Sequence, residues 1–365
     1  MKNIEIRKYD YIDSLRGFAI LGVVFFHVSL WVHPTTPILS AIANEGTRGV
    51  QLFFVASALT LFLSMAARTR GEDRPTLNFF IRRFFRIAPA FYCAIIIYTL
   101  YNGMSARVWA PNGLEWWYIP VTAIFMHGWY PETINSVVPG GWTIAVEMTF
   151  YILLPYLFRR LTSIKSTLIA LLLALIFSRL ISISAGLIIS PYYPENQHYL
   201  VAGFKFFWFF SQFPVFIWGI LVFHLINKYP HCDKKTALFM LFSAIYLLLA
   251  FMHVDTYFSL IPHHVLYGLF FALFSLSLHY SPQIFFVNRV TVLLGKLSFS
   301  IYLVHFMVLK EFKKLFSDGF LLDGNIGFIT AFIFVLAVSV CISYVTHRAI
   351  EIPGINLGKF IIKKL

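Results

Sequence analysis

Roughly ten runs of about 20 apolar residues recur along the chain, the length at which a helix crosses the hydrocarbon layer of a bilayer. They lie near 12–32, 48–67, 84–104, 142–160, 166–190, 204–226, 236–254, 260–280, 290–311 and 325–347. In hydrocarbon every backbone polar group must be satisfied within the protein, so such segments become helices. Composition agrees: 59% of the 365 residues are hydrophobic and 12% charged, with a mean hydropathy of +0.75. The expected fold class is therefore all-α, a polytopic membrane protein of about ten transmembrane helices. The first run lacks a small-residue cleavage site followed by a soluble domain, which predicts a retained span. No stretch is polar and long enough for a separate water-soluble domain, so residues 1–365 read as one membrane-embedded domain.

The net charge of +13 points to orientation rather than to nucleic acid. Lys and Arg collect at the ends of apolar runs: Lys2/Arg7/Lys8, Arg68/Arg70/Arg74/Arg82/Arg83, Arg159/Arg160/Lys165, Lys228/Lys234/Lys235, Arg289/Lys296 and Arg348/Lys359/Lys363/Lys364. These groups fall on one side, which the positive-inside rule makes cytoplasmic, with both termini there. Lys310, Lys313 and Lys314 fall on the opposite side. This topology requires that 116–141, apolar at first and then rich in Pro and Gly, form a short or re-entrant outer segment and not a full span. The Tyr- and Pro-rich 190–199 is the other substantial outer loop.

Polar residues inside apolar helices are costly and read as functional. Arg16 and His27 are eleven residues apart in the first span, a net helical rotation of about 20° and an axial separation of about 16 Å. They are either two ends of one path or a snorkelling anchor and a packed histidine. Arg82, Arg83 and Arg86 open the third span, where cations oppose the helix dipole unless an anion sits among them. Arginine suits bidentate phosphate recognition, and lipid phosphate is the competing ligand. Thr143, Glu147 and Tyr151 recur every fourth residue, a polar stripe turned to the protein interior. Glu147 either pairs with His27, contacts an incoming hydroxyl, or belongs to a buried ion pair that fixes packing. Ser298, Tyr302 and His305 share one face of the ninth span, where small-residue packing and interhelical hydrogen bonding are the alternatives to a role in a site. The histidines, including His263 and His264, and the cysteines Cys93, Cys232 and Cys341 lack metal-ligand spacing, so no metal site and no disulfide are predicted.

Taken together these pieces resemble the integral-membrane acyltransferase-3 family. Five match in order: Arg16 with His27; Gly49-Val50-Gln51-Leu52-Phe53-Phe54-Val55-Ala56-Ser57; Arg83 and Arg86 with Pro89; Trp142 to Pro155 around Glu147; and Ser298 to His305. Glu351-Ile352-Pro353 resembles the family's acid-x-proline ending. Gln51 stands where an aspartate is common and Ala58 where a glycine is frequent, so no acid–base role is expected at Gln51. Many relatives carry a further extracytoplasmic hydrolase-like domain, and the expectation here is the stand-alone form.

The resemblance implies an O-acyltransferase of a bacterial cytoplasmic (inner) membrane. Its implied donor substrate is acetyl-CoA or another acyl-CoA, with no permanently bound cofactor. The implied acceptor is a hydroxyl of a lipopolysaccharide O-antigen, an exopolysaccharide or a lipid-linked glycan precursor. Arg16, Arg83 and Arg86 would bind the CoA phosphates, and His27 would act as general base or acyl-accepting nucleophile with Glu147 as its catalytic partner. Trp142, Tyr151, Ser298, Tyr302 and His305 would line the pocket. The competing reading is a proton- or anion-coupled transporter or flippase, in which Arg16, His27, Glu147 and His305 form the path; the absence of evident inverted repeats weighs against it.

Overall fold

The computed structural model describes residues 2–69, 71–252, 261–316 and 324–365, with the side chains of 2–9 outside the description. Arg70, the side chains of Lys2, Arg7 and Lys8, and the expected span residues 253, 254 and 260 thus lie outside the described residues. The elements in order are α1 (Lys2–Ser29), α2 (Pro37–Glu45), α3 (Gly49–Arg68), α4 (Pro75–Asn102), α5 (Tyr118–Ala123), α6 (Trp142–Arg160) and α7 (Ile164–Ile189). They continue with α8 (His198–Phe207), α9 (Phe209–Lys228), α10 (Lys234–Phe251), α11 (His263–Tyr280), α12 (Arg289–Leu315), α13 (Gly324–Thr346) and α14 (Ile352–Lys364). Among the described residues there is no strand, only an isolated bridge between Arg107 and Ala110.

The protein is an all-α polytopic membrane protein. The described residues of each expected span are mostly helical, with 204–226 divided at Trp208 between α8 and α9, and among the described residues eight helical segments are long and apolar enough to cross a membrane: Asp10–Ser29, Pro37–Arg68, Pro75–Asn102, Ile164–Tyr192, Glu195–Lys228, Lys234–Phe251, Arg289–Leu315 and Gly324–Lys364. The remaining two expected spans, α6 with 19 residues and α11 with 18, are long enough but less apolar. Glu147 and two terminal arginines lower the hydropathy of α6, and His263, His264 and His279 that of α11. Residues 116–141 hold only the six-residue α5 and a 3-10 turn, His127–Trp129. The segment is packed, not spanning: Phe125 adopts φ 63°, a left-handed conformation costly for a bulky side chain, and is held against Phe91 at 5.4 Å and Tyr92 at 6.1 Å between ring centroids.

Contacts divide the chain into two compact units, Met1–Leu61 with Trp218–His347 and Phe62–Ile217 with Arg348–Leu365. In the first, α1 and α12 touch almost backbone to backbone. A Cβ on Gly17 would lie 2.2 Å from the Thr291 carbonyl oxygen, and one on Gly295 would lie 1.7 Å from that of Asp13. Small residues are what allow helices to approach this closely in a membrane. The Ser14 and Thr291 hydroxyls bond across the contact at 3.0 Å. The pair of helices diverges little, because His27 and His305 meet again further along both. At the end of α12, Lys314 pairs with Glu311 at 2.7 Å and the Lys313 ammonium sits 3.9 Å from the Trp31 ring centroid.

In the second unit α14 packs on α4. Gly354 and Gly358 lie against Phe85 and Pro89, where a Cβ would come within 2.7 to 2.9 Å of its nearest neighbour. The Glu351-Ile352-Pro353 ending thus introduces a helix docked on the arginine-bearing turn of α4, with Glu351 buried.

Candidate active site

The first unit holds Arg16, His27, Ser298, Tyr302 and His305; the second holds Arg83, Arg86, Trp142, Glu147 and Tyr151.

On α1 and α12 the two histidines form a dyad whose proton positions follow from their partners. His305 Nδ1 lies 2.8 Å from the Tyr302 carbonyl oxygen and 3.1 Å from that of Ile301. A carbonyl only accepts, so Nδ1 carries the proton and Nε2 carries the lone pair. His27 Nδ1 lies 2.8 Å from the Val23 carbonyl oxygen and 3.3 Å from His305 Nε2. By the same argument His27 Nδ1–H is shared between two acceptors, which leaves His27 Nε2 as the bare nitrogen. It has no protein partner among the described residues, and His27 is partly exposed while His305 is fully buried. Phe306 closes on both rings, at 4.4 Å from His27 and 4.1 Å from His305 between centroids.

Tyr302 and Ser298 are buried on the same face of α12, Tyr302 with its ring edge to Phe53 of α3. Arg16 is held from two sides, by Asp13 at 3.2 Å and by the Thr60 hydroxyl at 2.9 Å. Asp13, Thr60 and Phe306 escape sequence reasoning. Asp13 at i−3 from Arg16 was readable as an ion pair, whereas Thr60 and Phe306 gain their places only through packing.

In the second unit a carboxylate pairs with one of the three arginines of α4. Glu72 receives Arg82 through both oxygens, at 2.9 and 3.0 Å, and Arg68 at 2.9 Å, with Asn78 adding a bond of 3.2 Å. Partial burial works against the Glu72 charge, but these donors outweigh it and hold the carboxyl below its usual range. The guanidinium of Arg83 lies over the Phe79 ring at 5.9 Å. Arg86 is exposed and makes no ion pair among the described residues. On α6 the Tyr151 hydroxyl donates to Glu147 Oε2 at 3.0 Å, while Thr143 bonds the Gly140 carbonyl. Thr143 and Tyr151 are buried, so the stripe faces the interior as expected. Trp142 stacks on Phe207 with centroids 4.4 Å apart and 27° between planes. Among the described residues no group of three His, Cys, Asp or Glu side chains is placed to hold a metal ion.

The profile of the acyltransferase-3 domain matches residues 9–348. The chain belongs to the acyltransferase-3 family. It is an integral membrane acyltransferase, and the match runs from the first helix to the end of α13. Relatives agree with this. ORF330 of Acidianus two-tailed virus, provisionally named an acetyltransferase, is 26% identical over 343 residues, 91% of this chain and 92% of its own length. The O-acetyltransferase OatA of Staphylococcus aureus is 27% identical over 162 residues, 40% of this chain but only 24% of its own length. Nodulation protein 10 of Rhizobium leguminosarum bv. viciae is 30% identical over 170 residues, covering 40% of this chain and 43% of the relative. No solved structure matches.

Proposed function

We propose that this acyltransferase is an O-acetyltransferase that moves an acetyl group from acetyl-CoA to a hydroxyl of a cell-surface polysaccharide or its lipid-linked precursor. The observation that carries this reading is His27: its Nδ1 proton is committed to Val23 and His305, so Nε2 is available as a base. The names of the relatives, two of them acetyltransferases, support the choice of acetyl and of an oxygen acceptor.

In the proposed reaction, the acceptor hydroxyl gives its proton to His27 Nε2 as its oxygen attacks the thioester carbonyl. The C–O bond forms, the C–S bond breaks, and the imidazolium returns the proton to the departing thiolate. Positive charge on the ring strengthens the Nδ1–H bond to His305. Glu147, held by Tyr151, receives the acceptor hydroxyl. Arg83 and Arg86 of α4 take the CoA phosphates, while Arg82 serves Glu72. Ser298 and Tyr302 line the pocket, and Tyr302 or Ser298 donates to the developing oxyanion. The bias of basic residues supports cytoplasmic termini, and the bacterial relatives support a bacterial inner-membrane location.

Purified protein in nanodiscs, supplied with radiolabelled acetyl-CoA and a glycan acceptor, tests this reading. Wild type should transfer label and His27→Ala should not, at equal abundance and helicity. Transfer by folded His27→Ala would remove His27 from the mechanism.

A further inference from the structure

Two segments of the second unit, 103–141 and 190–197, meet around one carboxylate. The Tyr118 hydroxyl donates to Glu132. From the other segment, the Tyr193 hydroxyl faces Tyr130 and Glu132, yet it is buried and forms no well-made hydrogen bond. Burial, followed by this acidic neighbourhood, pushes both phenols up, so they stay protonated donors. A buried hydroxyl short of a partner costs free energy that a bound polar group would recover.

Beside this carboxylate stands a fixed aromatic platform. The indole of Trp117 is tethered at Nε1 to Glu115 at 2.6 Å. Its ring meets Tyr118 edge-on at 4.5 Å and Tyr130 at 5.5 Å between centroids. Even so, Trp117 stays 40% exposed and Tyr130 42%. An interfacial belt also exposes Trp and Tyr, but it requires no bracing and no shared carboxylate. Here rigid ring faces lie next to a carboxylate acceptor and phenolic donors. Pyranose sugars present the matching chemistry, an apolar C–H face bordered by hydroxyls that both donate and accept.

We propose that Trp117, Tyr118, Tyr130, Glu132 and Tyr193 form a glycan-binding subsite that holds the acceptor. This rests on the reading of the chain as a glycan O-acetyltransferase and assigns acceptor recognition to the second unit's short segments.

The test uses full-length protein in nanodiscs on an array of purified oligosaccharides, followed by titration of the best binder and by acceptor kinetics. Wild type should bind an oligosaccharide. Trp117→Leu and Glu132→Gln should each weaken it by at least about tenfold and raise the acceptor KM in step, with donor KM unchanged. Trp117→Phe, which keeps a ring, should recover part of the loss and guards against misfolding of the leucine variant. Unchanged affinity and KM in folded Trp117→Leu and Glu132→Gln would overturn the subsite while leaving the acetyltransferase reading intact. Acetylation of a non-glycan acceptor by wild type, with no glycan bound or modified, would overturn both.

Discussion

His305 Nε2 accepts from His27 Nδ1 at 3.3 Å, and its own Nδ1 is anchored on the Tyr302 carbonyl at 2.8 Å. The dyad therefore fixes which nitrogen of His27 is basic. In our proposal His305 is a positioning residue, acting on the reaction only through His27.

Replacing His305 by Leu should lower kcat roughly 10- to 100-fold, a part of what a positioned base contributes, and leave both KM values unchanged. His305→Gln, which can return an acceptor to the same place, should recover some of the loss. Unchanged kcat in folded His305→Leu would detach His305 from His27.

The arginines of α4 separate by partner. Arg86→Ala should raise the donor KM by about tenfold, the value of a lost charge-assisted contact, with the thermal midpoint unchanged. Arg82→Ala should do the reverse, since it strips Glu72 of its two-oxygen partner. Steady-state kinetics on acetyl-CoA beside thermal unfolding distinguish the two.

Acid sensitivity should trace in part to His127. Its Nε2 bonds the Gly141 carbonyl at 2.9 Å, its Nδ1 is buried without a partner among the described residues, and burial depresses its pKa from 6.5 to about 4. The folded state therefore binds its proton later than the unfolded state does. Its stabilising effect is whole above pH 6.5 and is lost as the pH falls towards 4, a slope worth up to roughly 3 kcal/mol. His127→Phe, which can keep the stack on Phe91, should flatten the pH dependence of unfolding across that window. An unchanged slope would place the acid sensitivity elsewhere.

Close approach of α1 and α12 makes Gly295 intolerant of a side chain. Gly295→Ala forces a Cβ to within 1.7 Å of the Asp13 carbonyl oxygen unless the helices separate, so it should destabilise by about 1–3 kcal/mol and disturb the histidine dyad further along. Gly71→Ala, with nothing near its Cβ, should be silent. Thermal unfolding in detergent compares them.

Much was legible in the sequence because a membrane leaves the chain few choices. Apolar runs of spanning length become helices whatever their neighbours, and the expected spans are helical among the described residues apart from the break at Trp208 in 204–226. The polar residues inside them stand out for the same energetic reason, which is how Arg16, His27, Glu147 and His305 could be read directly. The short form of 116–141 followed from Pro and Gly, although the strained Phe125 did not.

Only tertiary structure decided the partners. Spacing put Arg82, Arg83 and Arg86 on equal terms, and the fold took Arg82 for Glu72. Spacing put His305 on a face with Tyr302, and the glycine contact of α1 with α12 brought it to His27 Nδ1. The reason is physical. Helix formation in a bilayer is a local transfer free energy, summed along the chain. A hydrogen bond between residues 278 positions apart depends on how two helices pack, and no local sum contains that.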